Sequence, residues 1–187
     1  MKKFLKIVGI YLLLIIIGNS CSPPEEVIIN DIIFLSATIQ ERKEDRAFND
    51  YVGTTIFKND VVFAIGEQIE TVAYLNLNFA EKCYATTFAK KYNNSILIES
   101  FSLKFNKEFT FKNQIINANE NLFANSEIKN QISVFKSNQA FGDIIIEFNS
   151  NFKNQSIFTS DIYQVEFECK TSDNRLFTKI INVKFEN

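Results

Sequence analysis

The side chains able to do chemistry are few. The chain has 187 residues and no His, which removes Ser-His-Asp triads, His-liganded zinc sites and the usual proton shuttle near neutral pH. Carboxylates are left as the plausible catalytic groups. Glu67 and Glu70 fall in a loop approach, and Glu166 and Glu168 lie two apart on the solvent side of an alternating run. Two carboxylates can cleave a glycosidic bond when held about 5–10 Å apart across a cleft. Glutamates side by side on one strand face serve more often to keep an edge solvated and unpaired. Asn117-Ala118-Asn119-Glu120-Asn121 sets oxygen ligands at alternate positions, as calcium loops do, but it lacks their aspartates, central glycine and distal glutamate; Ile128 stands in the twelfth place. Five glycines, two of them Gly9 and Gly18, leave little for phosphate-cradling loops. No catalytic residue, metal site or cofactor is expected, and the chain is read as a non-enzyme.

The three cysteines carry more information. Lys2, Lys3 and Lys6 precede a run from Ile7 to Ile17 that holds no charge, the basic and apolar regions of a secretory signal. A spanning helix needs roughly 20 apolar residues, so this run is too short for a permanent anchor. Gly18-Asn19-Ser20-Cys21 follows, small residues before a cysteine. Here the stretch resembles a bacterial lipoprotein signal, although Gly18 stands where that pattern usually has a Leu-like residue. The resemblance implies that residues 1–20 are removed and that Cys21 carries lipid. The other readings are an ordinary signal peptide cut nearby and an uncleaved anchor. Ser22-Pro23-Pro24-Glu25-Glu26 then reads as a stiff, solvated tether over 21–26. Its acidic pair resembles the surface-export signals of Bacteroidota lipoproteins, which implies the outer membrane or cell surface, with the periplasmic face as the other address.

Cys83 and Cys169 form an even pair in an exported domain, which suggests a disulfide. It would close a loop of 169 − 83 = 86 residues; in the chain-entropy model that contributes roughly 4–5 kcal/mol. Two buried free thiols are the competing reading. Without residues 1–20 the chain has 187 − 20 = 167 residues and loses three lysines, so its formal charge moves from −2 to −5. A mildly acidic domain with no basic cluster argues against a nucleic-acid partner.

The elements that must position these groups are strands. In Asp161–Thr171, Tyr163, Val165, Phe167 and Cys169 alternate with Gln164, Glu166, Glu168 and Lys170, the period-two signal. A turn cluster at 172–175 precedes a return run in which Phe177, Ile181, Val183 and Phe185 share a face. Further strands are expected over 27–40, 54–66, 70–80, 95–106 (Leu97, Phe101, Leu103 and Phe105 on one side), 108–111, 143–149 and 155–159. The charged segment 41–50 reads as a solvated crossover, and the Asn-rich segment 118–135 as a long loop. Seven or eight strands over 27–187 point to a single all-β domain, an immunoglobulin-like antiparallel β-sandwich, with a small β-barrel second. The 20 Phe residues would fill the space between the sheets. Phe123, Phe135 and Phe141 fall outside alternating runs; they form either a binding platform or caps on the core.

The segment 81–109, EKCYATTFAKKYNNSILIESFSLKFNKEF, resembles a group of Bacteroidota exported lipoproteins of uncharacterised function. That resemblance implies an all-β exported domain and transfers no active-site residue. The expected function is a membrane-anchored cell-envelope lipoprotein with a binding or structural role. Its partners would be the membrane, through the N-terminal lipid, and an envelope protein or glycan. A glycan hydrolase using carboxylates, and a subunit of a surface fibre or uptake complex, are the alternatives.

Overall fold

The clearest period-two run forms an antiparallel hairpin. In a computed structural model of the chain, the described residues are 26–41, 46–50, 55–57, 61–72, 91–136, 144–159 and 162–186. Among the described residues, thirteen strands and two short helices follow in chain order: β1 (Glu26–Glu41), β2 (Arg46–Asp50), β3 (Thr55–Phe57), β4 (Val61–Thr71), β5 (Lys91–Tyr92), β6 (Ile96–Phe105), β7 (Phe109–Phe111), β8 (Gln114–Ile116), α1 (Ser126–Lys129), β9 (Ile132–Lys136), β10 (Ile144–Phe148), α2 (Ser150–Gln155), β11 (Ser156–Ile157), β12 (Ile162–Thr171) and β13 (Leu176–Glu186). The chain divides into two compact units, one of residues 1–28 and 69–93, the other of residues 29–68 and 94–187.

In the second unit β12 and β13 pair antiparallel from Ile162 opposite Lys184 to Lys170 opposite Leu176. Tyr163, Val165, Phe167, Cys169 and Thr171 are all fully buried, while Gln164 and Lys170 face solvent. Asn174 turns the chain with a positive φ of 64°, a conformation asparagine tolerates better than most residues. The sheet runs β3-β13-β12-β6, a second sheet runs β2-β1-β4-β10-β9, and a third, smaller one runs β11-β7-β8. The fold is an all-β sandwich with mostly antiparallel pairing.

The second sheet is apolar on both sides at its centre. Val62, Phe63, Ala64 and Ile65 of β4 and Ile144, Ile145 and Ile146 of β10 are all buried, and the two strands pair antiparallel from Ile144 opposite Ile65. Unbroken apolar runs are what doubly covered strands require. On one side Val62, Ala64 and Ile145 cluster with Leu35 and Phe135. On the other, Phe34 of β1 stacks on Phe167 of β12 with ring centroids 5.0 Å apart, which joins the second sheet to the first. Phe148 stacks on Phe152 of α2 at 4.3 Å, Phe152 meets Phe109 and Phe111 of the third sheet, and Phe158 stacks on Phe185 at 4.1 Å. The phenylalanines thus run as a continuous aromatic seam through all three sheets. Each ring removes about 150–250 Å² from water, and offset or edge-on pairing adds to that.

Several expectations change. The charged segment 41–50 carries a strand: β2 folds back on β1 antiparallel, Glu41 opposite Arg46 and Ala37 opposite Asp50. The segment 118–135 contains α1 and β9 instead of one long loop. Asn125 and Asn149 act as helix caps: Asn125 Oδ1 accepts from the backbone N–H of Glu127 and Ile128 at 2.9 and 3.1 Å, and Asn149 Oδ1 accepts from Phe152 N–H at 2.9 Å. Asparagine-rich composition here marks element starts. Leu97 leaves the face of Phe101, Leu103 and Phe105, because a register shift between Glu168 and Lys170 sets it opposite Lys170. Glu67 and Glu70 both lie within β4, not in a loop. The count of seven or eight strands is too low because pieces of two to five residues, such as β5, β8 and β9, are too short to show a period.

Candidate functional site

Cys21, Cys83 and Phe141 lie outside the described residues, as does most of the run expected at 70–80. Cys169 is placed: its thiol is free and fully buried on the core side of β12, and burial pushes it up to about 11. A thiol so far from ionisation is a poor nucleophile at neutral pH.

The expected carboxylate pair is present on the outer side of β12, but one lysine answers both groups. Glu166 lies opposite Lys104 of β6; Lys104 Nζ is 2.9 Å from Glu166 Oε1 and 2.6 Å from Glu168 Oε2. The two hydrogen bonds, that to Glu168 first, hold the Lys104 ammonium above its ordinary value. The glutamates and lysine form a charged row on the outer side of β6 and β12. Beside this row, Ile162, Leu176 and Ile180 are 47%, 57% and 57% exposed. The outer face of β6-β12-β13 therefore offers separated aliphatic side chains and a fixed charge cluster, and it carries no aromatic ring among the described residues. Neither Phe123 nor Phe135 forms a platform: Phe123 is half-buried edge-on to Phe101 at 5.9 Å, and Phe135 packs against Val62, Ala64 and Ile145.

The alternating oxygens of 117–121 are spent on the fold. Asn121 Oδ1 accepts from Leu103 N–H at 3.2 Å and Phe123 N–H at 3.1 Å. Leu122 N–H donates to Leu103 O at 2.9 Å and Asn119 N–H to Phe105 O at 2.7 Å. Glu120 accepts from Asn117 N–H and from Asn125 Nδ2. The segment runs along β6 and seals that edge of the sheet, the place where a further strand would otherwise add. Among the described residues no three His, Cys, Asp or Glu side chains converge as metal ligands, and no helix is long and apolar enough to cross a membrane.

A polar cluster that sequence reasoning missed sits at the β12–β13 turn. Asn94, only 4% exposed, accepts from Ile29 N–H at 2.8 Å, donates to Ile29 O at 3.1 Å and donates to Asp173 Oδ2 at 3.2 Å. Asp173 also accepts from the Thr171 hydroxyl and from Arg175 Nε at 2.8 Å. The Thr171 hydrogen bond, with smaller help from Arg175 and Asn94, holds the Asp173 carboxyl down at about 2. Its polar atoms are spent on one another and on β1, so it fixes the turn and leaves little to bind a ligand. An Asn beside two further polar residues had no sequence signal that separates this role from a loop.

No protein-family model matches this sequence, and no curated protein matches it.

Proposed function

We propose that the chain is an exported lipoprotein, anchored through acylated Cys21, whose β-sandwich serves as a binding or structural module in the cell envelope. The observation that carries the reading is the arrangement around the tether. The basic and apolar run of residues 2–17 leads to Cys21, Pro23 and Pro24 follow, and β1 begins at Glu26. An ordered strand so soon after the cysteine suits a domain held against a surface. Such tethering raises the effective concentration of a domain for neighbours on the same membrane. The membership in a Bacteroidota group and the outer-leaflet address rest on the sequence resemblances alone.

Within this reading a protein is favoured over a glycan as the partner, because the exposed sheet face supplies aliphatic and charged contacts and lacks the aromatic rings on which sugar faces stack. The hydrolase reading has less support, since one ammonium holds both carboxylates of the Glu166–Glu168 pair. An immunoglobulin-like topology is supported by Tyr163 near the start of β12: its hydroxyl accepts from the Thr159 N–H four residues upstream at 3.0 Å, a tie like the tyrosine corner of such sandwiches. Membrane fractionation of Cys21→Ser beside the wild type, with intact mass of the native N-terminus, tests the anchor. The wild type should pellet and carry acyl mass, and the variant should be released. A variant that pellets unchanged overturns the assignment.

A further inference from the structure

The first unit brings the end of the tether next to an exposed aromatic ring. β1 begins five positions after Cys21, and an extended chain spans at most about 3.3–3.6 Å per residue, so Glu26 stays within roughly 18 Å of the cysteine. β5 pairs with β1 in parallel, Glu26 opposite Lys91 and Val27 opposite Tyr92, which adds about 4.8 Å, one interstrand spacing. Val72 N–H donates to Glu26 O at 2.8 Å and Asn93 N–H to Val27 O at 2.9 Å, so the strand ends are held in place. Tyr92 is 46% exposed, the one aromatic among the exposed large apolar side chains of the described residues. Lys91 Nζ lies 2.9 Å from Glu26 Oε1, and Asn93 Nδ2 reaches Oε2 at 3.4 Å. The carboxylate of Glu26, the last residue of the tether, is thereby answered, and its repulsion from an anionic surface is reduced. A tyrosine, apolar in body and polar at its tip, suits the layer where headgroups meet acyl chains.

On the reading that Cys21 is acylated, we infer that the Lys91–Tyr92 edge is a lipid contact: the Tyr92 ring enters the headgroup layer beside the anchor and fixes the orientation of the first unit on the bilayer. The chain has no Trp, so Tyr92→Trp supplies a single indole, which can be excited apart from the tyrosines. The full-length acylated variant is reconstituted in phosphatidylethanolamine–phosphatidylglycerol vesicles that contain lipid brominated near the headgroup end of its acyl chains. Loss of most of the indole emission is expected, and that loss should vanish when about 20 Gly and Ser residues, a flexible coil, are inserted between Pro24 and Glu25. Quenching that persists with the long tether overturns the tether as its cause. An acylated, vesicle-bound variant whose emission is untouched overturns the contact and leaves the anchor standing. A chain that never gains acyl mass overturns the anchor and the contact with it. The Cys21→Ser form of the same variant, in solution, should keep its β circular dichroism and be quenched by iodide, which shows that the substitution is folded and the ring exposed.

Discussion

Around Phe158, strands of two sheets and the segment between them meet through rings. Phe158 stacks on Phe109 at 5.0 Å and on Phe185 at 4.1 Å, and stands perpendicular to Tyr163 at 5.6 Å. Around Asn94, the same unit meets through an amide: one side chain satisfies both backbone groups of Ile29 on β1 and reaches Asp173 at the β12–β13 turn. The first contact is large and insensitive to small displacements, since dispersion and burial fall off gradually. The second is small and directional, and it fails as soon as one partner is lost. The difference shows two ways of fixing strands in one sandwich, of which only the apolar way has a sequence signature.

The sharpest test of the ring cluster is Phe158→Ala. The side chain is buried among rings that cannot easily close over the gap, so a loss of about 3–5 kcal/mol is expected, read as a lower urea midpoint at an unchanged slope. A loss near that of a surface substitution would show that the seam repacks and does not hold the sheets.

Asn94→Ala tests the polar cluster and should come second. It removes three hydrogen bonds and leaves the buried N–H and C=O of Ile29 without partners, at a cost of about 2–3 kcal/mol. If thermal unfolding shows no shift, water replaces the amide and the comparison with Phe158 collapses.

The same contrast decides what was legible. Tyr163, Val165, Phe167 and Cys169 announce their side by alternation, because a strand has period two and burial sorts apolar from polar residues. The both-sides-buried runs at Val62–Ile65 and Ile144–Ile146 read as strands through their β-branched and aromatic content. Asn94, Asn121, Asn125 and Asn149 look alike in the sequence, yet they serve as a buried staple, an edge seal and two helix caps. Each role depends on which backbone groups three-dimensional folding leaves unpaired, and composition does not encode that. The strands β8 and β9 were hidden for a related reason: three and five residues of pairing draw their stability from neighbours, not from their own pattern. The candidate site fared similarly. The Glu166–Glu168 pair was visible, whereas Lys104, which answers both carboxylates, becomes their neighbour only through the β6–β12 register.

The smallest effect comes from the exposed rim of the polar cluster, and its sign is fixed by the direction of the Asp173 shift. The carboxyl is held at about 2 in the folded chain against an ordinary value of 3.8. A group whose folded value is depressed adds stability that is fully present above its unfolded value, and that stability is lost as pH falls toward the folded value. Wild type should therefore exceed Asp173→Asn in stability by a constant amount at neutral pH. The gap should narrow as pH drops below about 3.8 and close near pH 2. Asp31, lowered mainly by its hydrogen bond from Lys179, weakens both proteins alike over acidic pH, so the difference between the two urea midpoints is the quantity to follow. Because the Thr171 hydroxyl is the largest cause, added salt should shrink the gap only by the part owed to Arg175, which is screened. A gap that stays constant down to pH 2 would mean that Asp173 gains nothing from its partners when the chain folds, and that the turn is held by Asn94 and the backbone alone.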